Sequence, residues 1–157
     1  MIGGGVMNSR LAVRIRQQDG LSYSVGGGIS GHPIDENGSF SAVAIQAPEN
    51  ADRVEVALRE EIQRVLDAGF ADGELETAKR GYLQSRELAR AQDGNLVRML
   101  NQGLYFNRTL VWDSELEERI GDLTVEDVNA AVRRHLDLNK MTFVKAGDFA
   151  GAESPSV

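Results

Sequence analysis

Arg16 and Tyr23, seven residues apart, are the pair in this sequence whose types and spacing best suit work on a polar substrate. A guanidinium carries several donors in a fixed fork and a phenol carries one hydroxyl. Both could hydrogen-bond a peptide carbonyl, or the oxyanion that forms when that carbonyl is attacked. Each also has an ordinary structural reading. An arginine near a helix C-terminus complements the helix dipole, and a tyrosine on a strand packs in a core.

Other chemistries find less support. The only histidines are His32, in the loop Gly31-His32-Pro33, and His135, near the end of a helix. Neither has a second histidine four residues on, and no His-x-x-Glu-His occurs, so no zinc set is expected within the chain. His135 reads as a partner for the negative end of its helix. Gly3-Gly4-Gly5 precedes a helix as a phosphate cradle would, but no Gly-Lys-Ser/Thr follows it. Gly26-Gly27-Gly28 falls inside a strand pattern, where glycines mark a bulge or the close approach of another backbone. No serine sits in Gly-x-Ser-x-Gly. The carboxylate pairs Glu60-Glu61 and Glu117-Glu118 read as solvated helix faces.

The elements that must position Arg16 and Tyr23 can be read from periodicity. Gly3 to Gly5 read as a flexible loop, with Asn8 or Ser9 capping a helix from about Ser9 to Gln18. Asp19-Gly20 makes a turn. Leu21, Tyr23, Val25 and Ile29 then alternate with small polar residues as in a strand with one apolar face. A polar loop over Gly31 to Gly38 leads into a second, antiparallel strand over Ser39 to Ala47, which Pro48 ends.

Several helices follow. Val54, Leu58, Ile62 and Val65 share one face of a helix that stops at Gly69. Asp72 can cap the next, with Leu75, Ala78 and Tyr82 on its stripe. Leu96, Leu100 and Leu104 mark a third helix, and Trp112, Leu116 and Ile120 a fourth. Thr124 with Asp127 resembles a capping box before the last. Met141 to Ala146 read as a closing strand. This order predicts an α+β fold, with an antiparallel sheet and helices packed on one face. One domain is expected over 1–149, with a frayed tail over 150–157.

Composition narrows the function classes. At 157 residues the chain can bury about 70% of the surface it exposes when unfolded. A net charge of −7 argues against nucleic acid as a partner, because counterion release would not favour binding. No apolar run is long enough to span a bilayer. The absence of cysteine excludes disulfides, thiol catalysis and cysteine-based zinc sites but leaves the compartment open, bacterial periplasm or cytoplasm alike. The start, Met1-Ile2-Gly3-Gly4-Gly5, has neither the basic nor the apolar region of a signal peptide and reads as the middle of a longer domain.

Taken in order, several segments resemble the C-terminal, non-zinc domain of insulinase/pitrilysin zinc metallopeptidases. These are Gly3-Gly4-Gly5 with Ser9-Arg10-Leu11, Arg16 with Gly20-Leu21-Ser22-Tyr23, Gly38-Ser39-Phe40, Pro48 before the long helix, Glu74-Leu75 with Ala78-Lys79, Thr124 with Asp127-Val128, and Ala146-Gly147-Asp148. The resemblance implies the metallopeptidase fold of the LuxS/MPP type. It also implies a strand and a helix ahead of the glycine-rich loop that are not in this sequence. It further implies a partner, the zinc-bearing N-terminal domain or subunit, with which this one would enclose a chamber for a peptide substrate. Zinc would belong to that partner. Arg16 would bind the substrate backbone and Tyr23 would stabilise the tetrahedral intermediate, so the chain would assist hydrolysis but not perform it alone. The competing expectation is a non-catalytic structural or interaction subunit of the same fold. An uncovered sheet edge would also invite a homodimer.

Overall fold

The computed structural model describes residues 2–32 and 34–149. Helix α1 (Ile2–Leu11) continues without a break into a π-helical segment (Ala12–Gln18). A hairpin of β1 (Ser24–Gly31) and β2 (Gly38–Ile45) follows. Then come α2 (Ala51–Ala68), α3 (Asp72–Arg90), α4 (Asp93–Tyr105), α5 (Leu110–Asp122) and α6 (Val125–His135). The fold is α+β, as the segregated order of strands and helices predicts. Pro33 of the hairpin loop and the tail from Ala150 lie outside the described residues.

The chain divides into two compact units, Gly3–Phe70 with residues 129–149, and Ala71–Val128. In the first, Leu11, Ile15, Ile62 and Val65 are fully buried. Ala51, Val54, Ala57, Glu61 and Val65 repeat every three or four residues, with Ile62 beside them, so one face of α2 supplies much of this core. Gly69 ends α2 at φ +76°, where a side chain would also strike the Asn129 amide. Asn129 is held in place by both ends of that amide. Its Oδ1 accepts from the Phe70 N–H at 2.7 Å and its Nδ2 donates to the Phe70 carbonyl at 3.2 Å.

In the second unit, α3 and α5 are joined by charge. Arg86 donates to Asp113 at 2.8 Å and to Glu117 at 2.7 Å, and Arg90 pairs with Glu117 as well. Burial works against the Arg86 charge, but the bonds to Glu117 and Asp113 outweigh it and hold the guanidinium protonated. The Lys79 ammonium donates to the Leu123 carbonyl at the end of α5. Thr124 and Asp127 form the expected capping box, each accepting a backbone N–H from the other.

Three expectations fail for identifiable reasons. Gly3 to Gly5 are not a loop but part of α1. A Cβ on Gly4 would stand 2.8 Å from the Ile29 backbone nitrogen, so glycine lets the helix lie against β1. Asn8 and Ser9 therefore do not cap a helix beginning at Ser9. Asn8 Oδ1 instead accepts the Gly27 N–H at 2.8 Å, and Ser9 Oγ donates to the Gly5 carbonyl. Finally, the closing strand over Met141 to Ala146 is absent: among the described residues the sheet has two strands, β1 and β2. Met141 and Phe143 are half-buried while Thr142 and Val144 are exposed, the alternation of a strand without its ladder. Arg59 stacks 3.8 Å from the Phe143 ring centroid, and Lys145 pairs with Asp52 and Glu55, tying this segment to α2.

Smaller shifts occur at element ends. Leu21 is buried ahead of β1 rather than within it, and Tyr23 precedes the strand by one residue. Ala71, not Asp72, caps α3, its N–H bonded to the Glu74 carboxylate at 2.9 Å.

Candidate functional site

Arg16 lies in the π-helical segment, a geometry that recurs at functional sites because it costs backbone regularity. Its neighbour Ile15 is fully buried, which fixes the segment on the core. The Ile15 carbonyl accepts the Leu21 N–H at 2.9 Å, closing the turn that Asp19-Gly20 begins. Gly20 makes that turn at φ +62°, where glycine is unstrained. Tyr23 follows two residues later. Its N–H donates to the Ile45 carbonyl at 2.9 Å, so the end of β2 anchors its backbone. Ser22, itself buried, donates to the same carbonyl at 2.8 Å.

The result is a rigid backbone carrying two free side chains. Arg16 is exposed and Tyr23 is 78% exposed, and neither side chain bonds or pairs with another described residue. Tyr23 is therefore not in the core, whereas Arg16 lies in the last turn of its helical segment and makes no side-chain hydrogen bond or ion pair with another described residue. Arg14, two residues earlier, shows the contrast. It is paired with Asp19 at 3.2 Å and Glu60 at 3.0 Å and serves the fold. What the free pair can offer is hydrogen-bond donation to a carbonyl oxygen.

The histidines do not form a metal site. His32 Nδ1 accepts the Asp35 N–H at 2.9 Å within its own loop, and His135 ends α6. Among the described residues no group of three or more histidine, cysteine, aspartate or glutamate side chains is placed to hold an ion. The described residues therefore do not fit a zinc centre. Among the described residues no helix is long and apolar enough to cross a membrane.

A second feature was not anticipated from the sequence. A cleft of about 730 Å³ runs along β2, with α2 as its floor and residues 134–145 as its far wall. Its only signal in the sequence is the uncharged run from Gly38 to Pro48, which reads equally well as a buried strand.

The model of the peptidase M16 inactive domain matches residues 1–82. The chain belongs to that family. Among curated proteins, it is 26% identical over 144 residues to the non-peptidase homolog YmxG of Helicobacter pylori, covering 91% of this chain and 32% of that protein. It is 28% identical over 139 residues to an uncharacterized zinc protease of Streptomyces coelicolor, covering 83% of this chain and 28% of that one. The M16 chain thus spans about a third of the length of these relatives. Among solved structures, it superposes on a peptidase M16 inactive domain from Pseudomonas fluorescens with a TM-score of 0.76 at 25% identity, covering 88% of this chain and 34% of the other. It superposes on the periplasmic protease PqqL of Escherichia coli with a TM-score of 0.68 at 25% identity, covering 85% and 15%.

Proposed function

We propose that this M16 inactive domain is the substrate-binding, catalysis-assisting partner of a zinc-dependent endopeptidase. The observation that carries the reading is the exposed, uncommitted Arg16 and Tyr23 on a backbone fixed by the Ile15–Leu21 and Tyr23–Ile45 bonds. Arg16 would bind a substrate carbonyl, and the Tyr23 hydroxyl would donate to the oxyanion of the tetrahedral intermediate. Zinc, held by the N-terminal-type partner domain, would supply the activated water. The names of two relatives, a zinc protease and a periplasmic protease, support an enzyme of this class.

In the complete enzyme, Arg16→Ala or Tyr23→Phe should each lower kcat/KM about 10-fold or more, since one lost transition-state donor costs several kcal/mol. Thermal stability should hardly change, because both side chains are exposed. Wild-type kinetics in both variants would return the pair to a structural role. The chain alone should hydrolyse no peptide with or without zinc, and chelator-sensitive activity surviving stringent purification would contradict this.

One observation favours a second reading. The relative that covers 91% of the chain is named a non-peptidase homolog. On that reading the chain is a structural or interaction subunit, and the same two substitutions leave every catalytic rate unchanged. A homodimer through the sheet edge belongs to this reading and is tested by the oligomeric state.

A further inference from the structure

Backbone polarity sets what the hairpin ladder should do with Tyr23. Gly27 donates its N–H to Asn8, away from β2. In the register Gly27↔Ala42, odd-numbered residues of β1 therefore turn their backbone groups away from β2, and even-numbered ones bond to Ser39, Ser41, Val43 and Ile45. Side chains alternate in step. Val25 shares a face with half-buried Ala44, and Ser24 shares the opposite face with exposed Ile45. A regular strand carried one residue further back would point the Tyr23 N–H away from β2. It would also lay the phenol on the half-buried face, on the same side as Val25.

Neither happens. The Tyr23 N–H turns to the Ile45 carbonyl at 2.9 Å, and the side chain is exposed. Ser24 is already the register partner of Ile45. Two consecutive residues thus stand against one, the arrangement of a β-bulge, which re-aims a side chain at the end of a ladder.

Ser22 is placed to hold that irregularity. It is 8% exposed, and its hydroxyl oxygen lies 2.6 Å from the Ser24 carbonyl oxygen and 2.8 Å from that of Ile45. A hydroxyl has one proton to donate, so two carbonyls, one on each strand, share it. The Ile45 carbonyl thereby receives donors from two successive residues, the Ser22 side chain and the Tyr23 backbone. Behind them Leu21 is buried and its N–H is bonded to Ile15. Alanine would fill nearly the same space without burying a hydroxyl, so what serine adds here is the bond.

We propose that Ser22 is a positioning residue: its hydroxyl holds the Tyr23–Ser24 bulge against Ile45, and the bulge turns the Tyr23 phenol out of the sheet, where it can meet a substrate. The inference rests on the catalysis-assisting reading of Tyr23 and adds to it a residue that touches no substrate. Without the hydroxyl, β1 can revert to plain alternation, which carries the phenol toward the half-buried face. Arg16 is fixed by Ile15 on the other side of the Gly20 turn and keeps its place.

The test is a double-mutant cycle in the complete enzyme, from Ser22→Ala, Tyr23→Phe and the two together. Ser22→Ala should lower kcat/KM about 5-fold or more, the loss falling in kcat, because a misplaced transition-state donor is nearly a lost one. In the Tyr23→Phe background the same change should cost less than about 2-fold, since the hydroxyl it positions is gone. In the Arg16→Ala background it should keep its full effect. In the 157-residue chain, Ser22→Ala should speed amide exchange at Tyr23 and leave Leu21 as protected as before. Equal losses from Ser22→Ala with and without the Tyr23 hydroxyl would make Ser22 a general structural residue and overturn the proposal. Wild-type kcat in Ser22→Ala, or an unchanged Tyr23 amide, would overturn it too. In each of these cases an impaired Tyr23→Phe enzyme leaves the peptidase reading standing, whereas wild-type kinetics in Tyr23→Phe overturn both. If Ser22→Ala fails to fold, Ser22→Cys, whose thiol is a weak donor of similar size, takes its place in the cycle and the same outcomes decide.

Discussion

The outer edge of β1 is closed and that of β2 is open, although both strands are eight residues long and equally free of charge. Helix α1 closes the first. Gly4 lets the helix reach the Ile29 backbone, Leu11 Cδ1 comes within 3.2 Å of where a Gly27 side chain would begin, and Asn8 takes the Gly27 N–H. On the second edge the chain brings Met141 to Lys145 to the same cleft, but their backbone makes no ladder hydrogen bond with β2. A strand edge is made safe by satisfying its alternate backbone groups, and apolar side chains near it do not substitute for that.

The largest test of this difference is a proline scan of β2. Val43→Pro deletes an N–H that bonds to β1 and should cost about 2–3 kcal/mol or unfold the hairpin. Ala42→Pro, one residue away on the open side, should stay within about 1 kcal/mol. Equal losses in urea denaturation would mean that the two sides of β2 are equally engaged.

Next in size is the closed edge. Gly4→Val drives a side chain into the Ile29 backbone, which cannot move aside as a flexible side chain could. We expect a loss of about 1–3 kcal/mol and faster amide exchange at Gly27 and Ile29. Wild-type melting would show that α1 does not need this approach.

The smallest effect lies on the far wall of the cleft. The Lys145 ammonium, and after it Arg59, hold the Glu55 carboxyl below the usual carboxylate range, while Asp52 and then Glu55 hold Lys145 above its usual value. A lowered carboxyl pKa stabilises at pH above the unfolded carboxylate range and loses that stabilisation as pH falls through the folded value. A raised lysine pKa stabilises below the unfolded lysine value and fails as pH rises through the folded one. The attachment of 142–146 to α2 should therefore hold across neutral pH and loosen at both extremes. NMR shifts of these amides should follow the Glu55 titration in acid, and Lys145→Met should abolish that response. Asp52 is exposed and Lys145 and Glu55 are partly so, and salt should therefore reduce the effect as well. Shifts indifferent to pH would detach this segment from the ion pairs.

Much of the fold was legible because it is carried by local signals. The stripe Val54, Leu58, Ile62 and Val65, the stop at Gly69 and the Thr124–Asp127 box each depend on residues within one element, and each stands where periodicity places it. The errors share a cause. Gly3 to Gly5 look like a loop because glycine is a poor helix former, and only the nearness of β1 explains their place in α1. Asn8 looks like a cap because its side chain seeks a backbone donor. It found one, but on a strand nineteen residues away. Met141 to Ala146 have the composition and alternation of a strand, but a strand needs a partner's backbone, which no local pattern can supply.

For the site, the residue types of Arg16 and Tyr23 and their spacing were determined by sequence alone, as was the lack of a histidine pair for zinc. Tertiary structure decided that both side chains stand free. Burial of Ile15 and Leu21 and the bond from Tyr23 to Ile45 turn the two outward, whereas Arg14, of the same type and on the same segment, is held by Asp19 and Glu60. Which of two arginines stays free is settled by the carboxylates within reach: Asp19 in the adjoining turn, and Glu60, which folding brings up from α2, far along the chain.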